Sequence, residues 1–307
     1  MGPQLVSTYF LCHDLLCVDG FLSLPPSLPP RLDLTDLESV RAFAAGFKAK
    51  YPTLDVLVNN AAIELPKIVR TDSGKEMMMA TNHIGHVLLT ELLLETLKAT
   101  SSSRIVHVSS VAASQMTMGM NSMADVDLSD PYWESKKFDE WLCYGSSKLA
   151  QAMYSEELAK RLESEGSGVK SVALHPGWCA TPLFRNQLCC LLCCILPTCG
   201  PCMGTLNLDE ASQVHLHTIL SPDIVSGKFY SQKGIYTRPE LQAGALPYEV
   251  EFNPNNTAEK RAAVYEWSLK ECGLQQGGAP AATVSDDDGA VSGVGAMAMT
   301  RDVRYGF

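Results

Sequence analysis

Apolar positions in this 307-residue chain alternate between two periods. Leu37, Val40, Phe43, Ala44 and Phe47 recur at the spacing of an amphipathic helix, preceded by Thr35 with Glu38 three residues on, the pattern of a capping box. LDVLVNN (54–60) is a continuous apolar run closed by Asn59 and Asn60, which predicts a strand buried on both faces of a parallel sheet. The texture then repeats: a helix over about Gly74–Leu97, a buried strand in RIVHVSS (104–110), a polar loop over about Asn121–Asp139, a helix over Tyr144–Leu162, a strand in VKSVALHP (169–176) and a helix over Asp209–Leu220. A closing helix, Thr257–Cys272, has Asn256 as its expected N-cap and Gly273 just past its end. Strands alternating with helices of this length imply right-handed βαβ units and an α/β fold with a doubly wound parallel sheet.

The flanks differ. Residues 1–31 form an atypical segment in which an apolar stretch leads into LSLPPSLPPR, whose Pro25, Pro26, Pro29 and Pro30 predict an extended connector. Its His13, Asp14 and Asp19, with no basic start, argue against a signal peptide. Residues 275–307 are rich in Gly, Ala and Ser, carry Asp286-Asp287-Asp288 and lack an apolar period, so a disordered tail is expected there. The single structured domain therefore spans 32–274.

Composition narrows the chemistry. The chain has 24 Lys and Arg against 34 Asp and Glu, a net charge of −10, which argues against a nucleic-acid partner. No run reaches the roughly 20 apolar residues of a spanning helix. Six of the 11 cysteines crowd into CCLLCCILPTCGPC (189–202). An odd count with adjacent pairs is unlike a secreted disulfide framework, so a reducing, cytoplasmic setting is expected. For segment 188–202 three readings stand: an apolar lid using Cys as a small hydrophobe, a membrane-surface contact with Cys189, Cys190, Cys193 or Cys194 as lipid attachment sites, or a thiolate site including Cys199 and Cys202. The spacing disfavours the last, and no metal is expected.

The sharpest local feature is Tyr144-Gly-Ser-Ser-Lys148. Residues four apart on a helix share a face, and a cation beside a phenol stabilises the phenolate, bringing a group of pKa near 10 toward neutral working range. Taken alone, the pair is weak, since Tyr and Lys four apart are common and far more often a surface contact. Ser109 and Ser110 follow a predicted strand at the carboxyl edge, where open α/β sheets bind ligands, although a serine there also caps the next segment. Asn59-Asn60-Ala61-Ala62 and His175-Pro176-Gly177 close strands at the same edge, and each also reads as an ordinary turn.

Together, LVNNAA, TNHIGH, RIVHVSS, YGSSK and HPG, in this order, resemble the short-chain dehydrogenase/reductase family, and DSGKEMMMATNHIGHVLLTELLLETL, FDEWLCYGSSKLAQAMYSEELAKRL and SGKFYSQKG resemble its retinol-dehydrogenase-like branch. The resemblance implies a Rossmann-like fold and an NAD(P)-dependent oxidoreductase that interconverts an alcohol and a carbonyl on a small apolar, retinoid-like or lipid-like substrate. It implies Tyr144 as general acid, Lys148 as its charged partner and ribose ligand, Ser110 as the group orienting the carbonyl, and Asn82 as support for a proton relay. Read from the residues alone, Asn82 is a locally hydrogen-bonding asparagine. Asp33 and Leu34, then Asn60, Ala61 and Ala62, and Pro176, Gly177 and Thr181 match the family's cofactor-contacting segments, alongside Tyr144 and Lys148. The cofactor is expected to be NADP or NAD, with NADP favoured. A homo-oligomer and membrane association stay open.

Three departures from the family pattern stand out. Before Asp33 the only glycines are Gly2 and Gly20, so the family's glycine-rich phosphate turn and first βα units are missing or replaced. The residues that would choose NAD or NADP are missing with them. A mispredicted start, a truncated form, or a non-catalytic binding protein with this fold would each account for that, and LVSTYFLC could stand in as one strand. Ala62 replaces the usual glycine, which is tolerable where φ is negative. Ser110 and Tyr144 are 34 positions apart, a long gap that the branch also carries.

Overall fold

The computed structural model describes residues 5–7, 32–114, 120–177, 183, 206, 208–231, 248–249 and 253–274. The chain divides into two units, residues 1–275 and 276–307, of which the second lies outside the described residues. Thr181, all of the cysteine-rich segment 188–202 and most of residues 1–31 lie outside them too.

Continuous apolar runs become strands, as expected. The sheet runs in chain order through β1 (Leu5–Ser7), β2 (Val56–Asn59), β3 (Arg104–Val108), β4 (Lys170–His175), β5 (Phe229–Ser231) and β6 (Tyr248–Glu249). β1 to β5 are parallel, and β6 pairs antiparallel with β5. β1, cut from the LVSTYFLC stretch, registers Leu5 with Val56 and Ser7 with Val58, giving β2 a parallel neighbour on the side away from β3.

β2, β3 and β4 are apolar through their middles because both of their faces are covered. Leu57 and Ile105 point into a cluster with α1 (Leu37–Lys50), α3 (Gly85–Lys98), α5 (Glu140–Ser164) and α7 (Ala258–Glu271). Val58, Val106, Val108, Val172 and Leu174 point the other way, against Val214 of α6 (Leu208–Leu220). A third cluster joins Met78 and Met79 of α2 (Met77–Met79), Ala112 and Ala113 of α4 (Val111–Ser114), and Tyr144. Between α2 and α3 the chain widens into a π-turn, Ala80–Ile84, in which Gly85 N–H bonds Ala80 O.

The helix starts correct the expected caps. Asp36, not Thr35, caps α1, accepting from Glu38 N at 3.0 Å, while Thr35 turns back to Asp33 Oδ1. Thr257, not Asn256, caps α7, and the Asn256 amide donates instead to Glu156. α5 begins a turn earlier than its apolar pattern suggests, with Asp139 as N-cap, so Tyr144 stands in the second turn rather than at the start.

The polar loop before α5 is tied down at both ends. Asn253 donates to Ala113 O and Ala124 O, Arg70 to Tyr132 O and Trp133 O, and Tyr132 to Glu271.

Candidate active site

β2, β3 and β4 end together at Asn59, Val108 and His175, the carboxyl edge of the sheet. α5 is fastened across that edge by buried polar groups. Ser109 Oγ donates to Lys148 O at 2.8 Å, and Lys148 Nζ donates to Val108 O at 2.8 Å and to Gln151 Oε1 at 3.3 Å. The Gln151 amide in turn donates to Asn59 O at 3.4 Å, so one helix is bonded to the ends of two strands.

Tyr144 is 5% exposed and Lys148 1%, which rules out the surface-pair reading. The two lie one turn apart on the same side of α5. Burial lowers the Lys148 ammonium to about 7, because removing a cation from water favours its neutral form. The histidines behind it are neutral for the same reason. His83 and His86 are pulled down to about 3 by burial, and His107 lies well below its ordinary value. His86 Nδ1 stands 3.1 Å from Asn82 O, and a carbonyl only accepts, so the proton is assigned to that nitrogen.

Asn82 sits in the π-turn. Its side chain accepts from Ile63 N at 2.8 Å and donates to Ile63 O and to Ser147 Oγ, both at 3.0 Å. All its side-chain groups are thus engaged in clamping the segment after β2 against α5. Asn60, Ala61 and Ala62 run between β2 and that clamp, with Ala61 buried. Among the described non-glycine residues only Trp133 has a positive φ, so Ala62 meets the condition on which an alanine is tolerable there.

Ser110 is half-buried, and its Oγ accepts from Ala112 N at 3.2 Å, opening α4. That bond uses a lone pair and leaves the hydroxyl hydrogen for another partner. Asp33 is exposed, with Oδ1 holding Thr35 through both N–H and hydroxyl. Leu34 is buried so tightly on α3 that a Cβ on Gly85 would stand 2.3 Å from Leu34 O.

After β4, His175 Nδ1 accepts from Gly177 N at 3.2 Å. Gly177 has φ +81°, and a Cβ there would meet Leu206 Cδ1 at 2.5 Å, so this turn requires glycine. Pro176 is half-buried beside it. Of the expected site residues, the structure gathers Ser110, Tyr144, Lys148, Asn60, Ala61, Ala62 and Asn82 around the ends of β2 and β3. Pro176 and Gly177 stand at the end of β4, and Asp33 and Leu34 precede α1, with Leu34 against Gly85 at the start of α3.

Gln151, Ser147 and His86 escaped the sequence reading. Gln151 carried a legible signal: positions 144, 148 and 151 share one helix face, and a glutamine on the buried face of a helix needs a partner.

A family model described as short chain dehydrogenase matches residues 27–123. Retinol dehydrogenase 12 of Homo sapiens is 38% identical over 232 residues, covering 73% of this chain and 69% of that protein. Retinol dehydrogenase 13 of Mus musculus is 42% identical over 156 residues, 51% of this chain and 44% of that protein. A crystal structure of an uncharacterized protein from Mycobacterium paratuberculosis, 29% identical, covers 80% of this chain and 75% of its own with a TM-score of 0.58. The chain belongs to the short-chain dehydrogenase/reductase family, in its retinol-dehydrogenase-like branch.

Proposed function

We propose that the chain is an NAD(P)-dependent oxidoreductase that interconverts an alcohol and a carbonyl on a small apolar substrate of retinoid-like or lipid-like character. The observation that carries this reading is the buried Tyr144–Lys148 pair on α5, with the ammonium bonded to the end of β3. In the reduction direction Tyr144 gives its phenolic proton to the carbonyl oxygen, and Lys148 stabilises the phenolate left behind. Ser110 offers its hydroxyl hydrogen to the same oxygen and holds it against the phenol. Asn82 acts by position, keeping the Asn60–Ala62 segment in place beside α5.

The residues present fit the nicotinamide and ribose half of the cofactor. An ammonium carries three protons, and two of those on Lys148 are taken by Val108 O and Gln151, which leaves the third for a ribose hydroxyl or the phenol. Asn60, Ala61, Ala62, Pro176 and Gly177 would line the path beside it. When bound, the nicotinamide supplies or accepts the hydride. NADP is the favoured form. We further propose cytoplasmic residence with membrane-surface contact through segment 188–202; no described helix is long and apolar enough to cross a membrane.

A second reading, a non-catalytic binding protein with this fold, is favoured by one feature: a proline-rich run, not a glycine turn, precedes Asp33. Titrating the 307-residue chain with NADPH and with NADH, followed by nucleotide fluorescence, separates the two. Saturable binding in the micromolar range is the expected outcome for the enzyme. A folded chain that binds neither nucleotide overturns the enzyme reading for this chain.

A further inference from the structure

Gln151 is 1% exposed and lies on the same face of α5 as Tyr144 and Lys148, three residues beyond the lysine. Its two amide ends are used differently. Oε1 accepts from Lys148 Nζ at 3.3 Å, and Nε2 donates to Asn59 O at 3.4 Å. Nε2 also lies 3.4 Å from His86 Nδ1, but that nitrogen carries the proton it gives to Asn82 O and has no lone pair to offer. The orientation of the amide is therefore fixed by its partners: the oxygen must face the ammonium and the NH₂ must face the strand end.

A buried ammonium without acceptors is costly, and the described carboxylates stand elsewhere. The titratable groups that face it are His86 of α3 and His107 of β3, both neutral through burial, and Tyr144 on its own helix. Its two acceptors are thus the Val108 carbonyl and Gln151, and Gln151 is the one a substitution can remove.

We propose that Gln151 is a positioning residue: its carboxamide bridges the Lys148 ammonium and the Asn59 carbonyl, holding the cation between the ends of β2 and β3 with one proton kept for the phenol or a bound ribose. This rests on the reading of Lys148 as the charged partner of Tyr144. It predicts a residue that touches neither substrate nor cofactor yet governs the charge state and placement of the lysine.

The test reads the lysine directly. In the full chain labelled at lysine Cε with ¹³C, the titration midpoint of Lys148, assigned by its loss in Lys148→Met, is followed by NMR without cofactor. Gln151→Met, of similar shape but without an acceptor, is expected to lower the midpoint by about one unit. Gln151→Glu, which sets a carboxylate against the ammonium, is expected to raise it by about 1–3 units. A general loosening of the helix would move both variants the same way. Opposite shifts carry the proposal; equal midpoints, or shifts in one direction for both, overturn it. The result does not depend on turnover, so an inactive parent chain would count against the oxidoreductase reading and leave this one standing or falling on its own. In the nucleotide titration, Gln151→Met is expected to weaken binding roughly 10-fold, the loss of one hydrogen bond to a charged group.

Discussion

A phenol becomes useful as an acid only where its surroundings have been arranged, and Tyr144 stands in an apolar cluster with a lysine one turn along its helix. The lysine beside it is held by Val108 O and Gln151, and Ser109 grips the lysine's own carbonyl. Tyr144→Phe removes the phenolic hydroxyl and leaves the ring, Lys148 and the other expected cofactor contacts in place. Turnover is expected to fall by about 10²–10⁴-fold, with nucleotide affinity nearly unchanged. Steady-state rates alongside the fluorescence titration check this, and a rate close to the parent's would take Tyr144 out of the acid role. Gly85→Ala acts on packing instead. Its methyl would drive into Leu34 O, a backbone atom that cannot swing away, so destabilisation of about 1–3 kcal/mol is expected in urea melts. At this scale the ordered motifs, through the family they resemble, pointed to the candidate reacting groups, Tyr144, Lys148 and Ser110, which their residue types alone did not single out. The sequence hid the holders: Gln151 and Ser147 are common residue types whose importance comes only from what the fold places opposite them.

Helices and strands were legible to different depths. The three central strands, β2, β3 and β4, declared themselves as largely apolar runs, since a parallel sheet covered on both faces leaves little room for alternation, whereas β5 and β6, three and two residues long, are too short for a pattern to mark. Helix bodies were equally plain from their apolar period, but their first residues were not. Thr35 and Asp36 are both good caps, as are Asn256 and Thr257, and choosing between neighbours needs the φ and ψ of each, which no pattern encodes. Substitution separates them. Asp36→Ala and Thr257→Ala are each expected to cost about 1 kcal/mol, read from the shift of the urea midpoint. Thr35→Ala should cost less, since it loses only its bond to Asp33. Equal costs at Thr35 and Asp36 would contradict the assigned cap. The π-turn was beyond prediction as well: TNHIGH has an ordinary helical composition, and its extra width shows only in the Gly85 to Ala80 bond.

Across the molecule, buried bases set how stability responds to pH. His83 and His86, at about 3, and His175, at about 4, all fall from 6.5 because burial disfavours their charged forms. The unfolded chain therefore binds more protons between the folded and unfolded values, and stability falls as pH drops from 6.5 toward 4. Each histidine contributes at most about 1.4 kcal/mol per pH unit in that window. Glu76, Glu91 and Glu140 oppose this, since burial raises them and the fold gains from protonating them. Five lowered histidines, His107 and His215 included, against three raised carboxyls leave a net decline, which urea midpoints collected between these values would record. A level profile would mean that the imidazoles charge without cost. Lys148 works in the same direction at the alkaline end: lowered from 10.5 to about 7, it makes the fold gain stability as pH rises between those values.

The contact between Gly177 and Leu206 has a consequence for how the site can change over time. These residues stand where the chain leaves the rim of the sheet and where it comes back toward α6, and they touch. The two ends of the intervening stretch are thereby brought to one point. The entropy of joining two ends grows only with the logarithm of the length between them, about 0.6 kcal/mol for each doubling. Adding residues between Gly177 and Leu206 is therefore expected to cost little in closure, while the buried lysine, its amide bridge and the strand ends stay as they are.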